Sequence, residues 1–374
     1  MKKIFLFFIL LFCSLFISQK TFAQQLPQDQ LVLQTFFKGT VTEIIKEGEV
    51  TIGNQRNAFQ DIKVKVIEGK DTGKIITIKQ GGQFNLTPQQ RVVQDQEVLL
   101  TTYTGADGKA TYSIYESYRL NTLLWIVLAF IVLTIVIAGK KGLGAIVGLV
   151  ISLSVIILFI IPQILYGTDP LLISIIGSLI ILGTTTYLAH GFSKQTSIAV
   201  ISTFISLAIS ALLSYLFVQA AHLTGLGSED AVTLQMSQFK FNFQGLLLGG
   251  VIIGTLGALN DVTTTQVATV FSLHKSNPKF SLLSLAEEGF LIGREHIVSL
   301  VNTLVLAYAG ATLTIFIFFN LNPLHLPYWV ILNSESTAEE IIRTIGGSFG
   351  LMLAVPISTF LGAYFAARRT NHDE

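Results

Sequence analysis

Gly254-Thr-Leu-Gly-Ala-Leu-Asn-Asp-Val-Thr-Thr-Thr-Gln-Val-Ala268 places one acid, Asp261, inside a run from 245 to 270 that is otherwise apolar enough to cross a bilayer. Beyond the N-terminal segment, no other charge lies in the interior of a long apolar run of this chain. An acid near the middle of a membrane helix costs roughly 2.5–3.5 kcal/mol, so it is retained for a reason. Three reasons stay open at this point: ion or proton handling, a structural tie to another helix, or simple nearness to the membrane surface.

Working outward, six further apolar runs accompany this one, near 121–139, 143–161, 171–189, 196–220, 297–319 and 343–366. Each approaches the roughly 20 residues that span a bilayer. Of the 374 residues 51% are hydrophobic and only 13% charged, and the charges fall between the runs. The expected fold is therefore a polytopic α-helical membrane protein of about seven spans, its membrane domain covering 120–370 with a short cytoplasmic tail at 371–374. A formal net charge of +1 gives no basic excess for binding nucleic acid.

Lys2 and Lys3, an apolar core from Ile4 to Ile17 and the sequence Thr21-Phe-Ala23 read as a signal peptide over 1–23. The lone cysteine, Cys13, lies in that core, so its removal leaves no thiol for disulfides or metal binding. Export of residues 24–119 sets the first span running outside to inside. Lys140, Lys141, Lys194, Lys275, Lys279, Arg294, Arg368 and Arg369 then fall inside, against Lys240 and Arg343 outside. This satisfies the positive-inside rule and predicts a cell-membrane protein with its C-terminus in the cytoplasm.

Residues 24–119 have the composition of a soluble domain. Ile62-Lys-Val-Lys-Val66 alternates with period two, Lys74-Ile-Ile-Thr-Ile-Lys79 is β-rich, and further strands are expected at Phe36 to Ile45, Glu97 to Tyr103 and Ala110 to Glu116, the last two separated by a turn at Thr104 to Lys109. About five short strands predict an exported, small β-barrel-like domain of OB-like shape. No cluster of exposed aromatics between basic residues points to nucleic acid, so a docking or structural module is expected.

In the last span Gly346, Gly350, Ala354, Ser358, Gly362 and Ala366 recur every four residues, a stripe for close helix packing. Ser202, Ser206, Ser210 and Ser214 repeat the device, as do Gly144, Gly148 and Ser152. Pro356 predicts a kink. Gly346-Gly-Ser-Phe-Gly350 matches a nucleophile-elbow pattern but sits in an apolar helix rather than at a strand-to-helix turn. No zinc-protease motif or phosphate loop occurs, and no catalytic residue, cofactor or metal site is expected.

Around Asp261, helical spacing puts Thr265 on the same face, with Asn260 and Thr264 flanking it. With entry at Gly245, Asp261 lies about 24 Å along the helix, in the inner third. Ser284-Leu-Ala-Glu287 resembles a capping box for a short helix. Arg294, at the inner mouth, is long enough to reach Asp261, and an ion pair between them is expected. Glu295, Asn302, Thr303 and Tyr308 complete the candidate polar centre, while His190, His274 and His296 read as interfacial histidines.

Gly254-Thr-Leu-Gly-Ala-Leu-Asn-Asp261, Asn277-Pro278, Gly289, Ile292-Gly-Arg294 and Asn302-Thr-Leu-Val-Leu-Ala-Tyr-Ala-Gly310, in this order, resemble the YibE/F-like family of bacterial multi-pass membrane proteins. Glu295 keeps the acid that follows the arginine in that pattern, whereas Asn260 replaces an apolar residue. The resemblance implies the architecture and a shared polar centre, and names no reaction. The expected function is a permease or ion-coupled transporter for a small solute or ion. The alternative is a membrane scaffold or signalling protein whose exported domain binds an envelope or protein partner.

Overall fold

A computed structural model describes residues 35–52, 55–69, 71–82, 86–104, 110–237 and 239–368. The expected signal peptide with Cys13, residues 105–109 of the expected turn, Arg369 and the C-terminal tail lie outside the described residues. The described chain divides into two units, one up to residue 133 and the other from 134 onward.

In the first unit the five expected strands are present: β1 (Thr35–Ile52), β2 (Gln55–Glu68), β3 (Ile75–Gly81), β4 (Glu97–Thr104) and β5 (Ala110–Ser117). They form an antiparallel sheet in the order β3-β2-β1-β4-β5. β1 and β2 are longer than the short strands expected, at 18 and 14 residues. Three register shifts along β1 let one strand bend while keeping its partner, because each extra residue increases local twist. The edge strands β3 and β5 also come into contact.

Alternation explains the core. Ile62, Val64 and Val66 are buried with Phe37, Val41, Ile78, Val92, Val98 and Leu100, while Lys63 and Lys65 point away. At Gly39 an added Cβ would stand 2.6 Å from Val64 Cγ1, so the two strands meet there only without a side chain. Gln60 is buried, donating to the Val92 carbonyl (3.1 Å) and accepting from the Val92 N–H (2.9 Å), which pins the β3–β4 connection to β2.

The helices are α1 (Leu120–Val155), continued through a π turn at Ile156–Ile160 into α2 (Ile161–Leu165), then α3 (Pro170–His190), α4 (Lys194–Ala220), α5 (Glu229–Gln235), α6 (Phe243–Ser276), α7 (Leu282–Ala311), α8 (Leu313–Leu321), α9 (Tyr328–Leu332) and α10 (Glu335–Ala367). Among the described residues six helical stretches are long and apolar enough to cross a membrane: 120–165, 170–190, 194–220, 243–276, 282–311 and 335–367. The first two expected spans fall in one 46-residue stretch. That stretch is broken at Gly139, whose φ of 56° and ψ of −134° leave the helical region. The break brings Gly142 against the Thr134 carbonyl, which eight residues of continuous helix would hold about 12 Å away.

Three other expectations are corrected. The cap near Ser284 is Ser281, whose hydroxyl accepts the Ser284 N–H at 3.2 Å, so the helix starts earlier and Ser284 lies inside it. The span expected at 297–319 ends at Thr312, with α8 next along the chain. The last helix starts at Glu335, before the expected span, placing Arg343 two turns in; Pro356 lies inside it.

Packing tracks the small-residue stripes. Gly346 lies against Ser214, and a Cβ on Gly350 would stand 2.7 Å from the Ser210 side chain; Ser210 donates to the Gly346 carbonyl at 3.0 Å. The glycine stripe of α10 and the serine stripe of α4 thus fit each other, running antiparallel. Ala354 and Ser358 are fully buried on the same face, and Gly362 and Ala366 continue it against α6 and the cluster around Val270 and Leu285.

Candidate functional site

α6 is the central helix, packing against α3, α4, α7 and α10. Its buried side is mostly apolar: Ile252, Leu259 and Val262 share one core cluster with Leu207, Ala211, Leu351 and Val355, and Val251 is fully buried. Its other side carries Gly250, Gly254, Gly257 and Asp261, all exposed. Spacings of four, three and four keep these on one face.

Beside that face lies a cavity of about 360 Å³ between α6, α3 and the second half of α1. Asn260 and Asp261 line it from α6, Thr185 and His190 from α3, and Gly144, Gly148 and Ser152 from α1. Small side chains make the room. A Cβ on Gly257 would touch nothing within 4 Å, and one on Gly148 would only reach ordinary contact with Thr185 at 3.6 Å. The third small-residue stripe is therefore cavity lining, in contrast to the tight α10 stripe.

The polar lining has a consistent sense. Ser152 donates its hydroxyl proton to the Gly148 carbonyl (2.9 Å) and Thr185 to the Ile181 carbonyl (2.7 Å). With those protons used, each oxygen offers lone pairs only. Asn260 accepts from Thr186 at 2.8 Å, which fixes its amide at the cavity wall. Among the described residues the Asp261 carboxylate has no hydrogen bond and no ion pair. His190, in the last turn of α3, shares its cavity.

The structure gathers only part of the expected polar centre. Thr264 flanks Asp261, donating to the Asn260 carbonyl at 2.7 Å, and Thr265 is exposed one turn further on. Arg294 and Glu295 are exposed on α7, and the expected Arg294–Asp261 pair is absent among the described ion pairs. Gly293 packs on Val355 and Gln266, so α7 turns its glycines inward and its charged neighbours outward. Asn302 and Thr303 are exposed too, Thr303 donating to the Ser299 carbonyl at 2.8 Å. Tyr308 is half-buried; its hydroxyl lies 3.0 Å from where a Cβ on Gly254 would stand, away from the cavity.

Sequence reasoning misses two features. Gln266, 1% exposed, donates to the Gly289 carbonyl and to Thr359 Oγ1, both at 2.7 Å, tying α6 to α7 and α10. A glutamine within an apolar run is the signal that could have found it. At the opposite end of the bundle, Glu335 accepts from Thr224 through its N–H (2.6 Å) and hydroxyl (2.5 Å) and from the Gly225 N–H (2.9 Å). Glu339, 5% exposed, accepts from the Gly227 N–H at 2.8 Å. Among the described residues no three His, Cys, Asp or Glu side chains converge as metal ligands.

Membrane-length apolar helices around an acid-lined cavity, preceded by a small antiparallel sheet, define a polytopic helical membrane protein with an added β domain. The YibE/F-like protein family model matches residues 126–368, nearly the whole helical region, and the chain belongs to that family. Compared with curated proteins and with solved structures, it has no match.

Proposed function

We propose that this protein is a permease or ion-coupled transporter in which Asp261 receives a small cation or proton. The observation that carries this reading is a carboxylate without a protein partner, facing a cavity whose hydroxyls present oxygen lone pairs. A carboxylate at membrane depth is costly, and a passing cation offsets that cost where no fixed arginine does. His190 adds an imidazole, whose two ring nitrogens suit it to passing protons to and from the cavity. The reading is non-enzymatic: the lining offers no nucleophile held by a base.

The topology proposed with it has seven spans. A 46-residue helix would run about 69 Å, more than twice the roughly 30 Å hydrocarbon core. Two passes reversing at Gly139 beside Lys140 and Lys141 fit both the length and the charge. A cleaved signal peptide over 1–23 then exports the β domain, read as a barrel of OB-like strand order. The C-terminus lies in the cytoplasm, and the chain resides in the cell membrane.

Cation and proton flux into proteoliposomes tests the assignment. Wild type conducts; Asp261→Asn, eluting as a single species in detergent, does not. Flux retained by the variant overturns it. A second reading, a scaffold whose exported domain binds an envelope or protein partner, draws on β1. Beyond Val41, which still exchanges backbone hydrogen bonds with Asp95 and Gln96, β1 pairs with β2 alone among the described residues, leaving Ile45, Val50 and Ile52 exposed. On that reading deletion of 30–115 abolishes function and Asp261→Asn leaves it intact.

A further inference from the structure

The cavity beside α6 is far larger than a bare ion needs. A water-sized guest takes about 30 Å³, whereas this space of about 360 Å³ falls at the lower end of the roughly 300–1,000 Å³ that hold small organic molecules. Its polarity is divided lengthwise. The Thr186–Asn260 hydrogen bond sets residues 185–190 of α3 level with Asn260 and Asp261 of α6, so Thr185 and His190 share one end with them. α3 and α6 run parallel, since Ser174 of α3 meets Gly249 of α6. The other end is therefore walled by Ile181 and Leu182 beside Ile253 and Leu256, with Ile156 of the π turn closing it. Ile181, Leu182 and Leu256 belong to the buried core, and Ile156 and Ile253 pack against it. Ser152 is the polar exception, its proton already given to the Gly148 carbonyl. Eight residues of helix separate Ile253 from Asp261, about 12 Å.

We propose that this cavity takes a free primary ammonium carrying one short alkyl chain, with the ammonium at Asp261 and the chain along the isoleucines and leucines. The inference rests on the transport reading of Asp261 and names the class of its cargo. Charge selects a cation, because the lining holds one acid and neither lysine nor arginine. A primary ammonium brings three N–H donors, and the polar end offers it acceptors only: the Asp261 carboxylate, the remaining lone pair of the Asn260 amide oxygen, and Thr185 Oγ1, whose proton is held by the Ile181 carbonyl.

The apolar end selects the chain. Water or a hydrated ion standing there would lack the roughly two to four polar partners that a buried water needs, whereas methylenes lose nothing by being dry. Volume then limits the guest. At about 360 Å³ the space suits one short chain rather than the paired acyl chains of a lipid, which separates a free amine from an amine headgroup.

Titration calorimetry of the full chain in phosphatidylcholine nanodiscs, corrected for empty discs, tests this with hexylammonium, methylammonium and hexanoate. Hexylammonium binds saturably, at least about tenfold more tightly than methylammonium because its further methylenes leave water. Hexanoate, with the same chain and the opposite charge, does not bind. Asp261→Asn, eluting as a single species, binds hexylammonium about tenfold or more weakly. Ile253→Phe, which crowds the apolar end, weakens hexylammonium and leaves methylammonium unchanged. Equal affinity for the two amines, saturable binding of hexanoate, or undiminished binding by Asp261→Asn overturns the proposal. So does loss of hexylammonium binding when phosphatidylethanolamine is included in the discs, which assigns the site to a lipid ammonium. The ligand series on the wild-type chain stands even where a variant fails to fold. Asp261-dependent flux of inorganic cations without hexylammonium binding strikes the cargo alone, whereas hexylammonium binding without flux of any cation keeps the site and strikes transport.

Discussion

The carboxylates at the two ends of the helical bundle are treated in opposite ways. Glu335 and Glu339 open α10 and are held by donors of the loop after α4: the N–H groups of Thr224, Gly225 and Gly227 and the Thr224 hydroxyl. Asp261 has none of this and looks into a cavity. Charge inside a protein is tolerated either when donors already surround it or when something from outside completes it. The first arrangement locks a loop to a helix; the second leaves the carboxylate open to a ligand.

The largest expected effect of that contrast is on stability. Glu335→Ala removes the acceptor of several donors at once; water replaces it at the exposed Thr224 groups, so a loss of about 1.5–3 kcal/mol, the value of one hydrogen bond to a charged group, is expected in denaturant titrations in detergent. Asp261→Asn, tested alongside, shifts stability by less than about 0.5 kcal/mol or raises it. Equal losses for the two variants would erase the distinction.

The glycines sharpen the same contrast. Gly350→Ala forces a methyl into Ser210 and lowers stability by about 1–3 kcal/mol. Gly257→Ala meets open space and gains about 0.5–1 kcal/mol from helix propensity, so its unfolding midpoint rises. A fall for Gly257→Ala would mean the cavity is filled by packing. Thr186→Val, which removes the donor to Asn260, lowers stability by about 1 kcal/mol and changes flux more than stability.

The smallest effect belongs to a third carboxylate, in the β domain. Asp71 accepts from Lys74 and, at 2.7 Å, from the Tyr112 hydroxyl, and the bond from Lys74, with that from Tyr112 second, holds it below the ordinary aspartate range. A group with a lowered folded-state pKa adds stability above its unfolded value, and the contribution disappears as pH falls through the folded value. Acid titration below about pH 4 therefore weakens the wild-type domain, and Asp71→Asn shows a flatter profile in that window. Superimposable profiles would contradict it.

Much of the fold was legible because it rests on short periods. Ile62, Val64 and Val66 announce a strand by alternation, and Gly346 to Ala366 announce a packing face by fours. Pairing was not legible: nothing local says that Gly346 and Gly350 meet Ser214 and Ser210 of α4 while Gly362 meets Val270 of α6. Gly144, Gly148 and Ser152 share the pattern of a packing stripe, and only their distance from α3 makes them cavity lining. For the same reason Asp261 was recognisable as a costly charge, while its neighbours were not. Arg294 and Asn302 have the right chemistry and depth but lie on the outward side of α7, and His190 reaches the cavity because α3 ends there.

The central claim is that Asp261 faces space a cation can enter while Glu339 does not. Single cysteines at these two positions, in the Cys13→Ser background, can be exposed to a small cationic thiol reagent in oriented membrane vesicles. The account predicts rapid modification of Asp261→Cys, slowed by the companion change Gly257→Leu that fills the cavity, and little modification of Glu339→Cys. An unreactive Asp261→Cys in a folded protein, or a reactivity indifferent to Gly257→Leu, would contradict it.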